Sequence, residues 1–354
     1  MENKNYYSKI SFFDRYLTVW VLLCMAVGVT IGKLLPMIPT FLNQFEFANV
    51  NVIIAVLIWL MIFPMMLKID FTSIKDVSKN PKGLFVTWIA NWVIKPFTMF
   101  ALASFFFFVI YQNILPEEIA REYLAGAVLL GAAPCTAMVF VWSSLTKGNA
   151  AYTLVQVATN DLIILVLYAP IVALLLGVSG FTIPLETLFL SILLFVVVPL
   201  VLGIITRTTI IRKRGLDFLN NNVISKLSKV TVIGLLLTLV IIFSMQADLI
   251  WNNPLHILLI AIPLIIQTFI IFFVTYGACK VIKLPFNISA PAGFVGASNF
   301  FELAVAVAIA LFPMNPGVAL ATIVGVLTEV PVMLILVKIA TKTQHCFTNK
   351  EIKS

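Results

Sequence analysis

The sequence predicts an all-α polytopic membrane protein of about ten transmembrane helices, built as two inverted five-helix repeats with broken, crossing helices four and nine. Three observations predict it. The composition is too apolar for water, the basic residues alternate from loop to loop, and the middles of the fourth and ninth spans are interrupted in the same way.

The composition comes first. Of 354 residues, 61% are hydrophobic and 11% charged, and the mean hydropathy is +1.08. Soluble domains run near 45–50% apolar and 25% charged. One soluble core could not hide this much apolar surface, so the bilayer is the solvent and 1–354 reads as a single transmembrane domain. The net charge of +8 sits in particular loops and is a topology signal, not a nucleic-acid one. Cys24, Cys135, Cys279 and Cys346 show no paired spacing, so neither a disulfide framework nor a structural zinc site is expected. The first sixteen residues stay polar for too long to read as a signal peptide.

A helix crosses the hydrocarbon with about twenty mainly apolar residues. Stretches that qualify lie near 17–35, 50–67, 84–111, 123–145, 150–177, 184–206, 230–247, 255–280, 288–312 and 317–339. Lys and Arg orient them. The N-terminal tail carries Lys4, Lys9 and Arg15, and the second loop Lys68, Lys75, Lys79 and Lys82. Lys147 follows in the fourth loop, a cluster from Arg207 to Lys229 in the sixth, Lys280 and Lys283 in the eighth, and a C-terminal tail from Lys338. The intervening loops hold only Lys33 and Arg121. Both termini are therefore expected in the cytoplasm, with the chain in the cell membrane.

Ten spans divide into five and five, about 17–177 and 184–339. Five is odd, so the second copy lies upside down relative to the first. GAAPCTAMVF from Gly131 aligns with GASNFFELAV from Gly296. The next helix repeats the match: Asn149 to Asp161 aligns with Gly317 to Glu329, which places Asn160-Asp161 and Thr328-Glu329 at one offset.

The polar residues inside these spans carry the functional signal. A charge at mid-bilayer costs roughly 2.5–3.5 kcal/mol on insertion scales. Asp161, Glu302 and Glu329 are deep carboxylates, Lys95 is the deep cation, and Asn91, Asn160, Gln267, Ser298 and Asn299 add neutral polarity. Pro134 divides the fourth span, which places Cys135 in the first turn of a second half-helix. In the ninth span, Asn299 to Glu302 has the spacing of a capping box. Two half-helix N-termini meeting at mid-membrane favour anions and thiolates. Plainer readings stand beside these. A cysteine in an apolar span is commonly a small hydrophobe, and Cys24 and Cys279 fit that. Glu302 could simply cap its helix. Asp161, Glu329 and Lys95 could tie helices together, and Trp142 could anchor at the interface.

Other chemistries find no residues. There is no GxxxxGK[ST] loop, so no ATPase in this chain, and no obligatory ATPase partner is expected. His256 and His345 are far apart and no HExxH occurs, which argues against an enzyme or a histidine-bound metal. No cofactor is expected.

The stretches Gly131–Ile163 and Gly296–Phe312 resemble the signature of the arsenical-resistance-3 family of arsenite efflux permeases, grouped with the bile-acid/sodium symporters. The resemblance implies the inverted five-plus-five fold and a functional pair matching Cys135 and Glu302. It also implies roles at positions matching Trp142, Asn160, Glu329 and, with no motif to anchor it, Asn91. The expected activity is secondary efflux of arsenite in exchange for protons, with antimonite an open second cargo. Cys135, Glu302, Asn299, Ser298 and Trp142 are then expected to bind substrate. Glu329, Asp161, Asn160, Lys95 and Asn91 are expected, with Glu302, to couple protons or support the site. A sodium-coupled organic-anion symporter of the same fold is the principal alternative. A passive channel would need a continuous polar line, and a receptor would need an extramembrane domain that the sequence lacks.

Overall fold

A computed structural model describes residues 17–47, 50–67, 81–135, 138–178, 186, 189–190, 193–252, 254–299, 301–312 and 315–347. The chain there is helical apart from one two-residue hairpin, β1 (Glu46–Phe47) against β2 (Val50–Asn51). The order is α1 Leu17–Leu34, α2 Met37–Asn43, the hairpin, α3 Val52–Met66 and α4 Lys82–Ile110. The fourth span follows as α5 Glu117–Gly131 and α6 Val139–Leu145, and then α7 Ala150–Val178. The second half comprises α8 Val198–Phe218, α9 Ser225–Met245, α10 Ala247–Asn252, α11 Pro254–Val281, α12 Phe286–Ala297, α13 Phe301–Leu311 and α14 Pro316–Lys342.

Among the described residues α4, α7, α11 and α14 are each long and apolar enough to cross a bilayer unaided. The breaks expected in spans four and nine are present, between α5 and α6 and between α12 and α13. The start of the sixth predicted span, residues 184–185, lies outside the described residues. α8 changes direction at Gly215, whose φ of +82° is a conformation that glycine adopts without a Cβ clash.

Polarity runs opposite to that of a soluble protein. Val93, Val166 and Leu174 face outward, 61%, 68% and 56% exposed. Asn91, Lys95, Gln156, Asn160, Ser298 and Glu329 are buried. In hydrocarbon the apolar exterior is solvated and the polar interior needs partners within the protein.

The helices pack as two groups. In one, α9 lies along α1 and α3, and α8 packs on α3. In the other, α5 packs on α14, α11 on α12 and α14, and α4 on α5 and α11, with α7 against α12. Small residues let the backbones approach within each group. A Cβ on Gly28 of α1 would lie 2.6 Å from the Val240 carbonyl of α9, and one on Gly32 would collide with the Ser244 carbonyl. Gly126 of α5 holds the same relation to Val318 of α14. Backbone cannot move aside as a side-chain tip can, so overpacking here costs about 1–3 kcal/mol. Gly32→Val is expected to lower the melting temperature of the purified protein by several degrees. Gly177→Ala, which meets nothing within 4 Å, is expected to leave it unchanged.

Candidate functional site at the helix crossing

The two breaks meet. α5 ends at Gly131, and Pro134 pairs with Asn299 in an isolated antiparallel bridge. The Cys135 N–H donates to the Ser298 carbonyl at 3.3 Å. Pro134 cannot donate a backbone hydrogen bond, so no helix can run through it without loss. Ser298 ends α12 in extended backbone, φ −79° and ψ 151°. The bridge supplies partners that each broken helix no longer supplies itself. Two glycines allow the close fit. A Cβ on Gly131 would lie 2.6 Å from Met99 Cγ of α4, and one on Gly296 would lie 2.7 Å from Thr275 Oγ1 of α11.

α4 brings polar side chains to this crossing through a local irregularity. Pro96 removes an N–H and crowds the carbonyl four residues back. The chain answers with a π turn over Ala90–Ile94, in which the Lys95 N–H bonds the Ala90 carbonyl. Such bulges are frequent at functional sites. Here the widened turn leaves Asn91, Trp92 and Lys95 all buried.

Lys95 donates from Nζ to the Ser298 carbonyl at 2.5 Å. The Ser298 hydroxyl donates to the Glu329 carboxylate. Ser298 therefore stands between a buried ammonium and a buried carboxylate, bonded to both. Glu329 and the Cys135 thiol are the electrostatic neighbours of Lys95. The two ion pairs among the described residues, Lys33–Asp248 and Arg121–Glu117, are exposed and elsewhere. Gln267 of α11 donates Nε2 to the Lys95 carbonyl at 3.5 Å.

A second cluster adjoins on the same face of α4. Asn160 Oδ1 accepts from Trp92 Nε1 at 2.9 Å and from Asn91 Nδ2 at 3.2 Å. Its own amide donates to the Gln156 carbonyl at 2.8 Å. One turn away, Trp88 Nε1 donates to Thr159 Oγ1 at 3.1 Å. Buried polar atoms of Asn91 (Oδ1), Asn299 (Oδ1), Gln267 (Oε1), Gln156 (Oε1 and Nε2) and Trp142 (Nε1) have no hydrogen-bond partner among the described residues. Buried polar groups are ordinarily satisfied, so this concentration marks a polar site rather than a sealed core.

The structure thus joins Cys135, Ser298, Asn299, Lys95 and Glu329, and sets Asn91 and Asn160 beside them. Three sequence expectations change. Cys135 is not in the first turn of a half-helix: it is non-helical, directly after the bridge that takes Pro134, and the described helix α6 is Val139–Leu145. Trp142 is not an interfacial anchor, being 1% exposed within the core. Lys95 forms no ion pair among the described residues, and Ser298 stands between it and Glu329. Glu302 stands in the first turn of α13, but its side chain, and Phe300 before it, lie outside the described residues, as does the capping box they would form. Asp161 is buried on α7, and among the described residues no bond ties it to the crossing. Trp92, Trp88 and Gln156 were not anticipated. The signal for the tryptophans was their spacing, one turn apart on the helix that carries Asn91 and Lys95. No group of His, Cys, Asp or Glu able to hold a metal occurs among the described residues.

Residues 55–253 match the family model of the Sodium Bile acid symporter family. The chain is 61% identical over 338 residues to the arsenical-resistance protein Acr3 of Alkaliphilus metalliredigens, covering 96% of this chain and 95% of that protein. It is 45% identical to an uncharacterized transporter of Synechocystis, over 96% of this chain and 91% of the other. It is 32% identical to the Acr3 of Corynebacterium glutamicum, over 93% and 89%.

Removing one member of a buried charge pair costs about 3–5 kcal/mol, since the other is left uncompensated. Lys95→Met and Glu329→Gln are each expected to destabilise the protein by about that much. The double variant is expected to be more stable than the sum of the two losses allows, by more than about 1 kcal/mol. Thermal melts of the four proteins in one detergent measure this coupling.

Proposed function

This chain belongs to the Acr3 arsenical-resistance family, whose members are multi-pass membrane transporters and not enzymes, and from that premise we propose that it carries arsenite out of the cytoplasm in exchange for protons. The observation that carries the proposal is the position of Cys135. Its thiol-bearing residue is buried at the crossing of the two broken spans, bonded through its N–H to the carbonyl that also takes the Lys95 ammonium. Trivalent arsenic is thiophilic, and a thiolate is a soft ligand suited to it. One thiolate binds and releases, whereas three would hold the metalloid fast. Arsenite is largely neutral at pH 7, which suits a site where ammonium and carboxylate balance.

In this reading arsenite enters from the cytoplasm and engages Cys135, with Ser298, Asn299 and Trp142 lining its place. Glu302 takes or directs the proton. Lys95, Glu329, Asn160, Asn91 and Asp161 support the site or relay protons. The group of helices that holds the crossing then moves against the group built on α1, α3, α8 and α9. A proton from outside resets the carrier. Antimonite, also a trivalent metalloid, is a second cargo by the same chemistry.

The architecture we propose is ten spans in two inverted repeats, with both termini in the cytoplasm and the chain in the cell membrane. Support for the repeat comes from its centre. The sequence alignment equates Pro134 with Asn299, and these two residues pair with each other in the bridge, as a two-fold axis requires. It equates Gly131 with Gly296, and each packs on the third span of its own repeat, at Met99 and Thr275. Matching those contacts sets Asn91 opposite Gln267, an amide facing an amide. Each half also contributes its first two spans to one helix group and its last three to the other.

Arsenite uptake into everted vesicles tests the proposal. Wild-type uptake is expected to require an imposed proton gradient. Cys135→Ala is expected to lose at least about tenfold, the effect of about 1.4 kcal/mol in transport-site affinity. Cys346→Ala, in the exposed C-terminal segment, should transport normally. Glu302→Gln should lose its response to the gradient. Full transport by Cys135→Ala would remove the thiol from the mechanism.

A further inference from the structure

We infer that the Lys95 ammonium is a tethered cation filling a monovalent-cation site at the crossing, and that it makes this carrier independent of sodium. The inference rests on the reading of the crossing as the transport site, but not on arsenite as the cargo.

The first argument is the position of the ammonium. Ser298 is the residue that ends α12, and Lys95 binds its carbonyl at 2.5 Å. The C-terminal end of a helix carries partial negative charge and exposes carbonyls without intrahelical partners. In carriers with discontinuous helices, such ends and unwound carbonyls are where coupling cations are coordinated. An ammonium and a sodium ion make the same demand there: oxygen donors and negative charge.

The second argument is the oxygen shell. The Ser298 carbonyl takes the ammonium, and the Ser298 hydroxyl reaches on to the Glu329 carboxylate. The Asn299 side-chain oxygen, on the residue after Ser298, and the Gln267 side-chain oxygen are buried with no donor among the described residues. Gln267 itself touches Lys95, through the bond from Nε2 to the Lys95 carbonyl. Hard oxygen donors with one negative charge make a monovalent-cation site. Nothing in that shell needs a positive charge to be covalently attached.

The third argument is that Lys95 has no counterpart in the second repeat. The contacts that match Met99 with Thr275 place Lys95 opposite Ile271, an apolar residue at the same depth. Only the first half brings its own cation, and the break it reaches belongs to the second half. Ser298 joins the two, so the charge on α4 closes the α12 end. The family model that the chain matches is named for sodium symporters. A residue that fills the cation site from within explains how the shared architecture can run without sodium.

Thermal melts in sodium chloride and in choline chloride of equal ionic strength test the inference, at one pH and with no arsenite present. The wild-type melting temperature is expected to be the same in both salts. Lys95→Ala exposes the oxygen shell and leaves Glu329 uncompensated, so sodium is expected to raise its melting temperature by several degrees over choline. Lys95→Ala with Glu329→Gln is expected to lose that response. A sodium shift in the wild type, none in folded Lys95→Ala, or one that survives in the double variant would each overturn it. If Lys95→Ala is not recovered folded, Lys95→Gln is read in the same way. Sodium-dependent cargo uptake by the wild type overturns the inference without any variant.

Discussion

Hydrocarbon offers no hydrogen bonds, so a helix that breaks inside a membrane must find its missing partners within the protein. This chain breaks twice at that depth, and each break answers the other. Pro134 and Asn299 bridge, and the Cys135 N–H goes to the Ser298 carbonyl. Neither half-helix pair is tenable without the second, because each would leave main-chain groups unpaired at a cost of several kcal/mol. The thiol, the ammonium and the carboxylate are gathered where the backbone has already been forced to open. The polar site is a consequence of how the breaks are satisfied, not an addition to a finished fold.

The same constraint shapes the surrounding helices. The crossing needs close neighbours on both sides, and glycines provide them at Gly131 against α4 and Gly296 against α11. It also needs a donor for the Ser298 carbonyl, and α4 delivers one by widening a turn ahead of Pro96. The other group of helices has no part in these bonds. α1 and α9 meet through Gly28 and Gly32, a smooth contact of small residues with its own logic.

Much of this was legible in the sequence. The apolar runs gave most of the described helices to within a few residues, but α8 runs on to Phe218, past the predicted end at 206, and α5 starts at Glu117, ahead of the predicted 123. Pro134 marked one break, although proline alone does not end a span here: Pro64, Pro170, Pro263 and Pro331 lie inside α3, α7, α11 and α14. Ser298-Asn299 marked the other through its polarity. The conformation of the first break was not legible. Pro134 reads equally well as the start of a helix or as a residue of extended backbone, and the choice depends on Asn299, distant in the chain. The tryptophans escaped for a similar reason. Trp88 and Trp92 look like lipid-facing or interfacial residues until Asn160 and Thr159 are seen to accept from their indoles. Lys95 was visible as a costly charge, but its partner was sought among carboxylates. A carbonyl freed at a helix end carries no signature in the sequence, since every residue has one.

The arrangement also explains why a buried lysine and a single buried thiol can serve one site. A thiolate is a poor ligand for a hard cation and a good one for a soft metalloid. As inferred for Lys95, an ammonium on the Ser298 carbonyl leaves no place there for a free cation to compete. The Cys135 N–H and the Lys95 ammonium share the Ser298 carbonyl, and Glu329 lies beyond the Ser298 hydroxyl. Cation and thiol therefore divide the chemistry. The tethered cation completes the helix crossing, and in the proposed function the Cys135 sulfur is left to the cargo. Exchange of the charge at Lys95 for a mobile ion would leave the crossing complete only while that ion is bound, which would tie the carrier's conformation to the ion's presence. In the cycle we propose, the covalent attachment removes that dependence and leaves protons as the species whose arrival and departure change the charge of the site.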